Sequence, residues 1–176
     1  MKLTETYRKL VKDTTINNIT LLSTDYLNHF NELVMMLEMV ADMPDMLEEA
    51  EAWTPLTYHE HFQNSSFQHK DLACFAYESA PDEYRVPLDD CVDRMDAEIA
   101  EGLPRLRALA DAGDTHVLSV EARNLSMSLR GRIDMMSALI NGAMNEEQYK
   151  ASLDAAAPAE HGTTVMDQSE IDSLFD

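Results

Sequence analysis

The sequence predicts an all-α fold: a helical bundle built on a long antiparallel helical hairpin, with a flexible C-terminal tail. Three observations lead there. Leu88, Cys91, Val92, Met95, Ile99, Leu103, Leu106 and Ala110 keep one apolar stripe at helical period, and Leu118, Ala122, Leu125, Leu129, Ile133, Met136 and Ile140 keep a second. Between the stripes, Gly113–Asp114 reads as a glycine helix end followed at once by a new N-cap, and two long helices joined by so short a turn must run antiparallel. Thr14–Ser23 is the one stretch rich in β-branched residues, and no second segment exists to pair with it.

In chain order, Met1–Asp13 spaces Leu3, Tyr7, Leu10 and Val11 as a short helix and carries four of the thirteen Lys and Arg residues. Thr14–Ser23 is a connector. A start signal at Thr24 or Asp25 opens a helix with Leu27, Phe30, Leu33, Val34, Leu37 and Val40 on one face, ending near Asp42 before Pro44. A second helix is expected from about Asp45 to Trp53, and a compact one over Asp71–Ser79, stopped by Ala80–Pro81. The hairpin spans Pro87–Asn141, with a kink expected at Gly102 and Pro104. Asn145 caps a last short helix to Asp154, after which A-A-A-P-A-E-H-G-T-T-V has linker composition. The resulting organisation is a helical domain over 1–155, a linker over 156–165 and a docking segment over 166–176. One hairpin cannot bury both of its apolar faces, so the preceding helices or a second copy, as a homodimer, must close the bundle.

Composition restricts function. The chain has 176 residues, 45% of them hydrophobic, which suffices for one core and a tail. Its formal net charge of -20 repels nucleic acid and anionic membrane surfaces and favours a basic protein partner. No apolar run approaches the ~18 residues of a membrane span. Cys74 and Cys91, with no apolar N-terminal signal segment, fit core thiols in a reducing cytoplasm. From Asp13 through His69 there is no Lys or Arg against ten acids, which gives one side of the domain a strong negative field.

Met35, Met36, Met39, Met43 and Met46 read as core and half-buried packing rather than as an adaptable docking surface. Arg123, Arg130 and Arg132 are expected to pair with acids of neighbouring helices. His59, Glu60, His61 and His69, with His29 and Glu32 further off, raise a metal reading that their spacing opposes. Residues at i, i+2 leave a helix on different sides, and no H-E-x-x-H or cysteine partner is present. No metal site and no cofactor are assigned: there is no phosphate loop or nucleophile elbow, and five glycines leave little material for cofactor cradles.

The richest functional signal is Met166–Asp176, M-D-Q-S-E-I-D-S-L-F-D. Asp167 and Glu170 form a capping box, Met166 and Ile171 a hydrophobic staple, and Ile171, Leu174 and Phe175 share one face rimmed by acid. Two turns are too short to be stable alone, so a partner groove is expected to complete the helix. Asp167–Phe175 resembles the S-Q-x-E-I-D-x-L-L signature of the flagellar motor switch protein FliM, also found in some FliN-type proteins, which binds the chemotaxis response regulator CheY. Gln168, Glu170, Ile171, Asp172 and Leu174 match that motif one for one, while Asp167 replaces a serine and Phe175 a leucine. The resemblance covers nine of 176 residues. It implies a CheY-type receiver domain as partner, with Asp167, Gln168, Glu170, Ile171, Asp172, Leu174 and Phe175 as the binding residues.

A docking motif placed behind a linker and a helical hairpin also resembles the layout of the CheZ phosphatases. The D-x-x-x-Q pair of that family is absent here. CheC and CheX phosphatases use E-x-x-N, and Glu121-Ala122-Arg123-Asn124 has that spacing, so an acid and an amide one turn apart could orient a water toward an aspartyl phosphate. The leading expectation is a cytoplasmic adaptor in chemotaxis, motility or two-component signalling that recruits a receiver domain by tethering. A response-regulator phosphatase with Glu121 and Asn124 as catalytic pair is the alternative, and a metal- or ligand-binding bundle a second one.

Overall fold

The computed structural model describes residues 3–157. All regular structure among them is helical: α1 (Leu3–Leu10), a 3-10 turn (Thr24–Tyr26), α2 (Leu27–Val40), α3 (Met46–Ala52), α4 (Tyr58–Asn64), α5 (Lys70–Glu78), α6 (Asp82–Asp111), α7 (Thr115–Ile140) and α8 (Glu146–Ala156). The docking segment Met166–Asp176 and all seven residues expected to bind a partner lie outside the described residues.

Helices α6 and α7 are the longest, and their junction is built from local chemistry. Gly113 adopts φ +74°, the left-handed geometry that glycine enters without a Cβ penalty. Its N–H bonds the Ala110 carbonyl while the Asp114 N–H reaches back to Leu109, the paired bonds of a Schellman stop. Asp114 then turns its side chain onto the Val117 N–H and starts α7. One residue thus closes one helix and opens the next.

Cross-helix contacts run in opposite order along the two: Cys91 Sγ meets the Arg132 carbonyl at 3.8 Å, Arg132 pairs with Glu98 at 2.6 Å, and Arg105 pairs with Glu121 at 3.0 Å. Helix α6 passes through Pro87 and Pro104 as one continuous helix. At Gly102 a Cβ would lie 2.7 Å from Leu125 Cδ2, so glycine leaves room for the Leu125 side chain between α6 and α7.

The core forms where α2 and α6 flank α7. Leu33, Leu37, Cys91, Met95, Ala122, Leu129, Met136 and Leu139 are all buried there. Three arginines reach from this frame to the stretch without cations: Arg130 pairs with Glu38, Arg123 with Asp42 at 3.6 Å, and Arg107 with Glu51 at 2.5 Å. The connector Thr14–Ser23 is largely buried rather than superficial. Its Asn17 accepts the Ile19 and Thr20 N–H groups on its side chain, and the Thr20 hydroxyl donates to the Ile140 carbonyl at 2.5 Å.

Three expectations are corrected. Helix α6 begins at Asp82, five residues before Pro87, because Pro81 ends the preceding segment without preventing a new helix from starting. A helix also forms over Tyr58–Asn64, where Thr57 and Glu60 make a complete capping box. Among the five methionines, Met36 and Met46 pack against the core, but Met35, Met39 and Met43 are 56%, 41% and 48% exposed. The buried face of α2 is filled by Phe30, Leu33, Val34, Leu37 and Val40, so Met35 and Met39 fall on the outer side, and Met43 follows the end of the helix.

Candidate functional site: the cleft between the two longest helices

An opening lies beside Gly102 and Leu125. A cleft of about 370 Å³ lies between α6 and α7, floored by Gly102, Leu106 and Leu125 and rimmed by Glu98, Glu101, Arg105, Glu121 and Asn124. Glu98, Glu101 and Arg105 recur at i, i+3, i+7 on α6, and Glu121 and Asn124 at i, i+3 on α7, so each helix presents one polar face to the opening.

Both residues of the E-x-x-N pair therefore line one recess. Their environments differ. The Glu121 carboxylate is bound by the Arg105 guanidinium at 3.0 Å and its side chain is 27% exposed, whereas Asn124 is open to solvent. Glu98 is likewise held by Arg132. Two of three rim carboxylates are thus neutralised by a neighbour, and Glu101 remains exposed with no ion-pair partner among the described residues. As a chemical device, the cleft offers an amide, a free carboxylate and a guanidinium already engaged with an acid, over an apolar floor. Sequence reading reached Glu121 and Asn124 but not Arg105 or Glu101. The signal was available in their 3-4 spacing around Gly102, and was obscured because a glycine and a proline so close together suggested a bend.

His29, His59 and His61 gather around the 3-10 turn and α4 by aromatic packing. His29 stacks on Trp53 with ring centroids 4.6 Å apart, and its Nε2–H donates to the Thr54 carbonyl at 2.8 Å, while Trp53 Nε1–H donates to the His29 carbonyl. His61 Nε2 lies 3.2 Å from the Asp25 carboxylate, and the His29 and His61 rings are 6.3 Å apart. Burial pushes the His29 pKa down, against the opposing pull of its bond to Thr54. His59 Nε2 is 3.4 Å from Glu78 Oε1, without hydrogen-bond geometry. Each side chain has a packing partner of its own, and no group of three or more His, Cys, Asp or Glu residues able to hold a metal ion occurs among the described residues.

On its other side α6 carries Asp89, Asp93 and Asp96 near Tyr26 and Tyr77. Tyr77 donates to Asp89 at 2.6 Å. Asp96 Oδ1 is buried without a partner, and burial followed by the Asp93 charge raises its pKa to about 6. Burial likewise raises the thiol pKa of Cys91 to about 11, which makes it a poor nucleophile. Cys74 and Cys91 are both buried and free.

No helix among the described residues is long and apolar enough to cross a membrane. Comparison of the chain with protein-family models, with curated proteins and with solved structures finds no match.

Proposed function

We propose that this chain is a signalling adaptor that captures a CheY-type response regulator receiver domain through Asp167–Phe175 and holds it beside a helical body. The single observation that carries the reading is the D-Q-S-E-I-D-S-L-F sequence itself, in which five side chains agree in type and order with a receiver-binding signature. Ile171, Leu174 and Phe175 supply the apolar anchor, and Asp167, Glu170 and Asp172 orient the segment and speed its association with a basic groove. Between Ala157, where the described body stops, and Met166 lie eight residues. A chain of that length reaches at most about 29 Å and keeps a captured receiver at high local concentration near the body.

In this reading the α6–α7 pair is the frame of a hairpin-based bundle and the tail is its tethered arm. Titrating a labelled peptide of Val165–Asp176 with receiver domains of the same organism, with and without a phosphoryl mimic, tests it. Saturable binding that Leu174→Asp abolishes is the expected result, and no binding to any receiver in either state would sink the proposal.

A second reading, a phosphatase for the phosphorylated receiver, is favoured by one observation: Glu121 and Asn124 line the same cleft one helical turn apart. Arg105 engages Glu121 Oε2 and leaves the other carboxylate oxygen to position a water. Dephosphorylation kinetics with the full chain decide between the two readings. A faster loss of phosphoryl group that Glu121→Ala and Asn124→Ala both remove would establish the phosphatase, and an unchanged rate would leave the adaptor.

A further inference from the structure

Among the described residues, the outer face of α7 is an unpartnered seam. Val117, Val120, Asn124, Met127 and Gly131 follow one another at spacings of three and four, the pattern by which one helix offers a continuous stripe to another. Val117, Val120 and Met127 are 37%, 43% and 71% exposed, and a Cβ on Gly131 would meet nothing within 4 Å. A glycine inside a helix costs about 1 kcal/mol relative to alanine, and here no packing within the described body requires it. The stripe is flanked by Arg123 and Arg130. Their pairs with Asp42 and Glu38 on α2 are exposed on both sides and so contribute little and exchange easily.

An apolar stripe edged by guanidiniums, in a chain of net charge -20, fits an acidic amphipathic segment. The chain owns one in its sequence: Met166–Asp176 spaces Ile171, Leu174 and Phe175 at i, i+3 and i+4 among Asp167, Glu170, Asp172 and Asp176. The path of α8 leads toward the stripe. Its start, Asn145–Lys150, shares a recess with Glu83, and Tyr149 then bonds Asp90, so α8 advances along α6 toward higher numbers. That is toward lower numbers on α7, where Ser152 contacts Met135 Sδ at 3.7 Å. Met127 lies about 12 Å further along the α7 axis. The eight residues after Ala157 can cover that distance with room to spare.

We propose that Met166–Asp176 docks on the outer face of its own α7, with Ile171, Leu174 and Phe175 on Val120 and Met127 and the acids beside Arg123 and Arg130, and that this latch competes with the external partner. The competition rests on the receiver-capture reading; the docking does not.

Methyl NMR of the full chain labelled at methionine tests the docking, with Met127→Leu supplying the assignment. The Met127 methyl resonance should move between the wild type and the Leu174→Asp/Phe175→Asp double variant. The Arg123→Glu/Arg130→Glu variant should move it in the same direction, and tenfold dilution should leave the wild-type position unchanged. An identical Met127 resonance in the wild type and the Leu174→Asp/Phe175→Asp variant would overturn the docking. A position that changes on dilution would assign the face to a second copy instead. For the competition, Met127→Asp, at a position already in solvent, should tighten binding of the full chain to a receiver domain about fivefold by releasing the segment. Equal affinity overturns the latch. If neither protein binds any receiver while the Met127 shift persists, the docking stands and the receiver reading falls.

Discussion

Asp96 shows how one side chain sets a pH dependence. Its carboxyl is half-buried, has an oxygen with no partner and sits beside Asp93, so ionising it in the folded chain is unfavourable and its pKa rises from 3.8 to about 6. A carboxyl that holds its proton more tightly when folded lowers stability as pH rises between these two values, and the penalty is fully present above the higher one. Asp96→Asn is therefore expected to raise the melting temperature at pH 8 and to leave it nearly unchanged at pH 4, read from thermal unfolding of both proteins across that range. An equal shift at both pH values would place the effect in packing instead. At the other extreme of environment, Gly131 faces open space inside a helix, and Gly131→Ala should stabilise the fold by about 0.5–1 kcal/mol in denaturant titration.

Helices were legible wherever a period or a cap was written locally. The stripes of α2, α6 and α7, Gly113 with Asp114, and Asn145 before α8 all lie within one or two turns of what they determine. Helix α4 was equally local, since Thr57 and Glu60 stand at capping-box spacing, but its three ionisable residues in a row drew attention to metal chemistry. Side-chain destinations were less legible because they depend on tertiary approach. Nothing in the sequence says that Trp53 covers His29 or that Arg105 lies across from Glu121. The close contact of Leu125 with Gly102 is of the same kind. At this scale Asp114 is the sharpest test. Asp114→Ala removes the cap of α7 and should cost about 1 kcal/mol of stability by denaturant unfolding, whereas Asp114→Asn or Asp114→Ser should restore most of it.

Charge governs the molecule as a whole. Thirty-three acids against thirteen Lys and Arg leave the body repelling itself, and the ion pairs from α6 and α7 to the cation-free stretch offset only part of that. Added salt screens the long-range repulsion over about 8–10 Å, so the melting temperature should rise between low and physiological ionic strength. A fall would mean that the cross-helix pairs outweigh the net charge. The same imbalance gives the candidate partner its sign. An acidic segment on an acidic body favours a basic groove, and its association should slow as salt is added.

Calorimetric titration of the full chain with a CheY-type receiver domain, with Ile171→Asp/Leu174→Asp as the control, tests the proposed receiver capture through Ile171, Leu174 and Phe175. One-to-one binding by the wild type that the double variant loses is expected. Binding that the double variant retains, or no heat with either protein, would overturn receiver capture by this segment.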